Sequence, residues 1–280
     1  MKEIESSEIK ETIYNLFLKI NTELSYDVLS VIKKAHLNET EKIAKIILEQ
    51  IIENTRIAKR DKLPLCQDTG TAVIYLEIGD EIFIKGNLNK AISEGVKNAY
   101  RDGFLRKGIV KHPLNRVNTG DNLPASIEID ITTGDKIKIM AMAKGGGSEN
   151  ASKLYMFNPT AVEDEIVDKV VSDLIKIGGK ACPPVFLGIC IGGDSSKAPN
   201  IAKKLLFKNV GNTSDDEISS RIGGKIMKKL NKSGVGLMGL GGRTTCLWVW
   251  CECLPCHIAS LPVAVSVSCH SLRRETLYIQ

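Results

Sequence analysis

The sequence predicts an α+β fold: an N-terminal helical layer followed by mixed helices and a mainly antiparallel or mixed sheet. Three observations lead there. Neither glycine nor proline occurs before Pro64, so nothing interrupts the helical texture of the first 60 residues. Isoleucines then alternate on either side of a turn near residue 134, the pattern of strands rather than helices. Further on, strand-like runs do not alternate strictly with helical ones, which argues against a doubly wound sheet. A length of 280 residues suits about two domains. The expected division is a helical segment, 1–60, packed on an α+β domain, 61–280.

Taken in order, Ile9, Ile13, Leu16 and Ile20 recur at spacings of 4, 3 and 4, one face of a 3.6-residue period. A second helix is expected from Tyr26 to His36. Asn38 reads as the N-cap of a third, with Glu41 completing a capping box ahead of Ile43, Ile47 and Ile51. Thr71 to Ile84 is β-like and Leu88 to Tyr100 helix-like. Ile127, Ile129 and Ile131, a Thr-Thr-Gly-Asp turn, then Ile137 and Ile139 predict a hairpin. Thr160 to Ile177 reads as an amphipathic helix, Val185 to Ile191 as a buried strand and Asp215 to Leu230 as a helix. Thr245 to Cys253, Pro262 to Ser268 and Glu275 to Ile279 read as strands.

Composition narrows the function. Apolar residues at 43% and charged residues at 25% describe a globular chain with material for a core, not a disordered regulator or a fibre. No apolar run approaches the roughly 18 residues that span a bilayer, and the acidic N-terminus lacks the pattern of a signal peptide. The expectation is therefore a cytoplasmic chain that does not engage a membrane. Net charge is +5, yet the first 60 residues carry ten charges of each sign. Without a basic block, and with aromatics at 5%, nucleic acid is not an expected partner. The mild positive bias suits a small anion. Eight cysteines in a reducing compartment read as buried thiols, metal ligands or a nucleophile.

Several stretches resist a purely structural account. Pro64 to Thr71 puts Cys66, Gln67 and Asp68 on a turn between helix and strand. Lys144-Gly145-Gly146-Gly147-Ser148 offers a run of backbone N–H groups that could cradle an anion, or simply a flexible loop. Cys182 precedes two prolines. Cys256-His257 and Cys269-His270 recur near the C-terminus. Two other patterns mislead. Gly234, Gly236 and Gly239 match the dinucleotide fingerprint, but the required strand before and helix after are missing, which speaks against a nucleotide-dependent oxidoreductase. Cys251, Cys253, Cys256 and His257 could form a zinc-binding structural module, although a structural zinc site usually pairs two separated knuckles. Cys246, Cys251 and Cys253 also read as small buried apolar residues.

Six segments in order resemble the α subunit of class I iron–sulfur fumarate hydratases and L-tartrate dehydratase. They are Cys66-Gln-Asp-Thr-Gly-Thr, Asn118-Thr-Gly-Asp-Asn-Leu-Pro-Ala, Lys144-Gly-Gly-Gly-Ser-Glu-Asn, Cys182-Pro-Pro with Ile191-Gly-Gly, Gly239-Leu-Gly-Gly-Arg-Thr-Thr, and His257 through Cys269. The resemblance implies that Cys66, Cys182 and Cys269 ligate a [4Fe–4S] cluster, leaving one iron as an open Lewis acid. It makes 61–280 the cluster-binding domain. It implies a hydro-lyase that reversibly dehydrates a 2-hydroxydicarboxylate, malate to fumarate first and L-tartrate as the alternative. Asp68 and His257 become acid–base or hydroxyl-handling groups. Gln67, Arg106 and Gly145, Gly146 and Gly147 become substrate-binding, Arg106 because a planar bidentate donor matches a carboxylate.

A dianion needs a cation for each carboxylate, and few arginines here sit in chemistry-bearing stretches. Arg116 and Arg243 are candidates but read equally well as surface residues. The family's other arginines, its lysine and a threonine base belong to a C-terminal part without counterpart in these residues. The expectation is therefore a separate β subunit in an α2β2 assembly. Cys246, Cys251, Cys253 and Cys256 are unusual for the family and leave a second metal site open.

Overall fold

The computed structural model describes all 280 residues, as two compact units that are both discontinuous in sequence. The first comprises residues 1–25, 54–146 and 271–280; the second comprises 26–53 and 147–270. The sequence texture changes at residue 61, but the units divide the helical segment itself, giving 1–25 to one and 26–53 to the other.

In the first unit, strands β1 (Lys2–Glu5) and β3 (Ile82–Lys85) pair in parallel. The main sheet uses β2 (Thr71–Gly79), β4 (Ser126–Thr132), β5 (Ile137–Lys144) and β10 (Arg274–Ile279), in the order β10-β5-β2-β4. Helices α1 (Ser6–Thr22) and α4 (Leu88–Asp102) cover one face. Ala72, Ile74, Leu76 and Ile78 alternate along β2, as do Ile137, Ile139, Ala141 and Ala143 along β5, and both rows meet Ile9, Ile13, Ile20, Ile92 and Val96 in one core. Ile13 is fully buried there. Truncating it to alanine would cost about 2–5 kcal/mol. Gly95 lets the two helices approach closely, since a Cβ would lie 2.7 Å from the Lys10 carbonyl oxygen.

The expected hairpin is a correction. β4 and β5 do not pair with each other; β2 lies between them, parallel to β4 and antiparallel to β5. The Thr-Thr-Gly-Asp turn instead bonds the turn that follows β2. Asp80 N–H donates to Thr132 O at 2.7 Å, Glu81 N–H to Gly134 O at 3.0 Å, and Gly134 N–H to Asp80 Oδ1 at 2.9 Å. Apolar on both faces, β2 takes a central position; β4, with Ile129 and Ile131 exposed, takes the edge.

In the second unit, β6 (Lys153–Phe157), β7 (Val185–Gly193), β8 (Cys246–Cys256) and β9 (Leu261–Ser268) form a mixed sheet in the order β6-β9-β7-β8. Val185, Leu187, Ile189 and Ile191 turn to the core shared with α6 (Glu163–Ile177) and α8 (Glu217–Asn231). On the opposite face, Cys190 packs with Ala198 and Ala202 of α7 (Lys197–Leu205). Gly188 permits that approach, because a Cβ would stand 2.0 Å from the Ala202 carbonyl oxygen. Sequence texture missed α7, which begins where the Asp194 carboxylate accepts the Ser196 and Lys197 N–H groups, each at 2.8 Å. It also missed β1 and β6.

Helices α2 (Tyr26–Asn38) and α3 (Lys42–Asp61) form as expected, but Asn38 ends α2 rather than capping α3. The buried Glu39 carboxylate accepts the N–H groups of Thr40 at 2.9 Å and Glu41 at 3.0 Å in the turn that leads into α3. Its other oxygen takes the Arg243 N–H at 2.9 Å. No helix is long and apolar enough to cross a membrane.

Candidate active site

Cys66, Gln67 and Asp68 occupy a non-helical stretch between α3 and β2, held at both ends. Ahead of it, Leu65 N–H donates to Asn21 O at 2.7 Å, and Leu65 O accepts Asn54 Nδ2 at 2.9 Å. Behind it, Gly70 sits at φ +79°, and a Cβ there would come within 2.9 Å of the Ala143–Lys144 backbone. The chain can pass so close to β5 only with glycine. Cys66 and Asp68 are half-buried and Gln67 exposed.

Both oxygens of Asp68 are committed. Oδ1 accepts Gly70 N–H at 3.0 Å and Oδ2 accepts Gly146 N–H at 2.7 Å. The glycine run is therefore neither a left-handed nest nor a loose loop. It opens a short helix, α5 (Gly146–Asn150), whose first residue, Gly146, donates to the carboxylate. Arg106 is joined to the same turn by its backbone, as Thr69 Oγ1 donates to Arg106 O at 2.7 Å, and its side chain is exposed. The structure thus gathers Asp68, Gly146 and the Arg106 stretch within the first unit.

Three buried residues that sequence reasoning missed surround this turn. Tyr100, in the apolar row of α4, places its hydroxyl 2.8 Å from Thr69 O and 2.9 Å from Gly70 O. Burial pushes that hydroxyl far above its usual range, against the opposing influence of Arg273, so it stays a proton donor. Arg273 is 1% exposed; its Nη1 donates to Asn21 Oδ1 at 3.1 Å, while Nε has no hydrogen-bond partner. Lys144, directly before the glycines, is 2% exposed. A Tyr in an amphipathic helix and an Arg-Arg pair carry no sequence signal of such burial.

In the second unit, Cys182 is exposed with φ 51° before the two prolines, and its carbonyl oxygen lies 3.1 Å from His270 Nδ1. His270 follows Cys269, so the stretches bearing two of the three expected ligands meet. Gly147 leaves a Cβ only 3.1 Å from the Lys180 carbonyl oxygen. His257 is exposed in the turn after β8; its Nδ1 accepts Ala259 N–H at 3.1 Å, so a neutral ring carries its proton on Nε2. Arg116 and Arg243 are both exposed.

The cysteines differ in burial. Burial raises Cys190 to about 11 and Cys246 to about 12, and pushes Cys251 and Cys253 upward too. Cys66 and Cys269 are half-buried and Cys182 exposed, all on backbone outside helices; Cys253 and Cys256 are exposed as well. No group of three or more His, Cys, Asp or Glu side chains forms a ready-made metal site. A zinc module on Cys251, Cys253, Cys256 and His257 is further disfavoured because Cys251 is buried in the core against α8 and the thiol of Cys253, two residues on, is raised.

The sequence profile of the fumarate hydratase (Fumerase) family matches residues 10–278. The chain belongs to this family. A Methanocaldococcus jannaschii relative that carries the provisional name L(+)-tartrate dehydratase subunit alpha is 38% identical over 273 residues, 95% of either chain. The anaerobic class I fumarate hydratase of Escherichia coli K12 is 30% identical over 88% of this chain but 48% of its own length. The L(+)-tartrate dehydratase subunit alpha of the same strain is 26% identical over 98% of this chain and 91% of its own. Against its fumarate hydratase relatives, then, this member spans about half their length.

Proposed function

We propose that this fumarate hydratase family member is the cluster-bearing α subunit of a hydro-lyase, completed by a separate β subunit in an α2β2 assembly, that reversibly dehydrates malate to fumarate. The observation that carries this reading is the 2.7 Å bond between Asp68 and Gly146 N–H. It unites an acid–base group with a row of N–H donors, two functions that a hydroxydicarboxylate needs side by side.

Cys66, Cys182 and Cys269 would hold a [4Fe–4S] cluster. When bound, it supplies a Lewis acid that weakens the bond to the departing hydroxyl. The remaining work falls to the protein. Arg106 presents a planar fork of donors to one substrate carboxylate, and Gln67 donates its amide to the same ligand. Gly145 and Gly147 add backbone N–H groups that stabilise charge as the adjacent C–H proton departs. Asp68, with each oxygen already oriented by a backbone N–H, handles a proton at the substrate hydroxyl without a search over rotamers, while the C–H proton passes to the base of the β subunit. His257 offers its Nε2 proton to the hydroxyl, which leaves as water while the carbon–carbon double bond forms.

L-Tartrate is the second reading. It is favoured because the chain covers 95% and 91% of relatives named as tartrate dehydratase α subunits, against about half of those named fumarate hydratase. An anaerobic assay with fumarate, L-malate and L-tartrate, with and without the co-expressed partner chain, separates the two. Turnover of fumarate by the pair alone supports the malate reading. Preference for tartrate selects the second, and full activity of this chain by itself overturns the split site.

A further inference from the structure

Asn122 is fully buried and holds φ 63°, a left-handed backbone that asparagine tolerates better than most residues. Its side chain works at both ends. Oδ1 accepts Gly108 N–H at 2.7 Å, and Nδ2 donates to Gly70 O at 3.2 Å. Gly108 lies two residues beyond Arg106; Gly70 lies two beyond Asp68. One amide therefore bridges the stretch carrying the guanidinium to the turn carrying the carboxylate. Neighbouring bonds reinforce each side, and they meet at Gly70, whose carbonyl accepts both Asn122 Nδ2 and the Tyr100 hydroxyl, with Tyr100 also bonded to the Asn122 side chain. Asn118 Nδ2 donates to Lys107 O at 2.7 Å on the Arg106 side. On the Asp68 side, the Tyr100 hydroxyl shares its one proton between Thr69 O and Gly70 O.

We propose that Asn122 is a positioning residue that fixes the spacing between Arg106 and Asp68, and that Tyr100 positions the Asp68 turn. This rests on the roles given above to Asp68 and Arg106. A role confined to folding would also bury these side chains, so the two must be separated by what each variant does to binding and to turnover. Asn122→Asp keeps the acceptor for Gly108 N–H and the tolerance for positive φ, but turns a carboxylate oxygen on Gly70 O. Tyr100→Phe keeps the ring, 6.2 Å from Phe17, and removes only the hydroxyl.

The test uses both variants in the anaerobic two-subunit enzyme, with kcat and KM expressed per bound cluster. Asn122→Asp is expected to raise KM at least fivefold and lower kcat at least tenfold. Tyr100→Phe is expected to lower kcat at least fivefold with KM within twofold. The proposal is overturned if either variant keeps kcat within twofold, or if activity falls only in step with iron content and thermal midpoint. Hydrogen–deuterium exchange gives a second reading that does not require turnover. Peptides covering 64–76 and 104–125 should both exchange faster in Asn122→Asp, and the former more than the latter in Tyr100→Phe; unchanged exchange in both overturns the bridge. An inactive wild-type pair that shows this exchange pattern would remove the hydro-lyase reading and leave the bridge standing.

Discussion

Asp68 Oδ2 accepts the Gly146 N–H at 2.7 Å across 78 residues of sequence. The contact is possible because Gly70 lets the Asp68 turn run against the end of β5, from which the glycines emerge. Replacing Asp68 with Asn leaves the shape and the Oδ1 acceptor but removes the charge and the proton-accepting oxygen. Its kcat should fall about 10²–10⁴-fold, the usual scale for losing a positioned acid–base group. The anaerobic assay checks this, with thermal melting as the control for folding.

Serine at Cys66, Cys182 or Cys269 should lower the iron and labile sulfide recovered per chain after anaerobic purification. Serine at Cys246 should leave iron unchanged and instead cost about 1–3 kcal/mol of stability, because a hydroxyl is then buried where a thiol packed. Full iron in all three of the first variants would remove the proposed ligand set.

Gly70→Ala is expected to be more damaging than a typical surface change. The residue sits at φ +79°, and the added Cβ would meet main-chain atoms of Ala143 and Lys144 at 2.9 Å, with no flexible side chain to yield. The cost should exceed about 1 kcal/mol and appear as a lowered urea midpoint. Gly134→Ala, also at positive φ but with open space around it, should cost less.

Glu163 ties α6 to α8 through Arg221 Nη2 at 2.8 Å and Lys225 Nζ at 2.8 Å. The Arg221 and Lys225 hydrogen bonds hold its carboxyl down at about 2, from an ordinary 4.5. A depressed carboxyl stabilises the fold above its unfolded value, and the contribution is lost as pH falls through the folded one. Glu163→Gln should therefore lower the melting temperature near neutral pH and match the parent as pH approaches 2. Solvent screening keeps the effect to about 0.2–1 kcal/mol, smaller still in high salt.

Much of the architecture was legible from local pattern. The period of Ile9, Ile13, Leu16 and Ile20 becomes the buried face of α1, and the α+β class holds. Elements without strong periodicity escaped notice, such as α7, which starts on a side-chain cap, and the four-residue β1. At the site, the residue types were readable while their contacts were not. Nothing near Asn118 or Asn122 marks them as ties to Lys107 O and Gly70 O.

The sequence by itself determined where the strongly periodic segments coil or extend, which glycine and cysteine stretches stand outside packing needs, and to which family the chain is akin. These follow from periodicity, turn chemistry and residue type within a few neighbouring positions. Only the tertiary structure decided that β2 separates β4 from β5, that Asp68 reaches Gly146, and that Arg273, Lys144 and Tyr100 are buried beside the Asp68 turn. Such outcomes depend on which distant surfaces bury each other and on which backbone donors then need partners. That choice is made over the whole chain, and no local stretch encodes it.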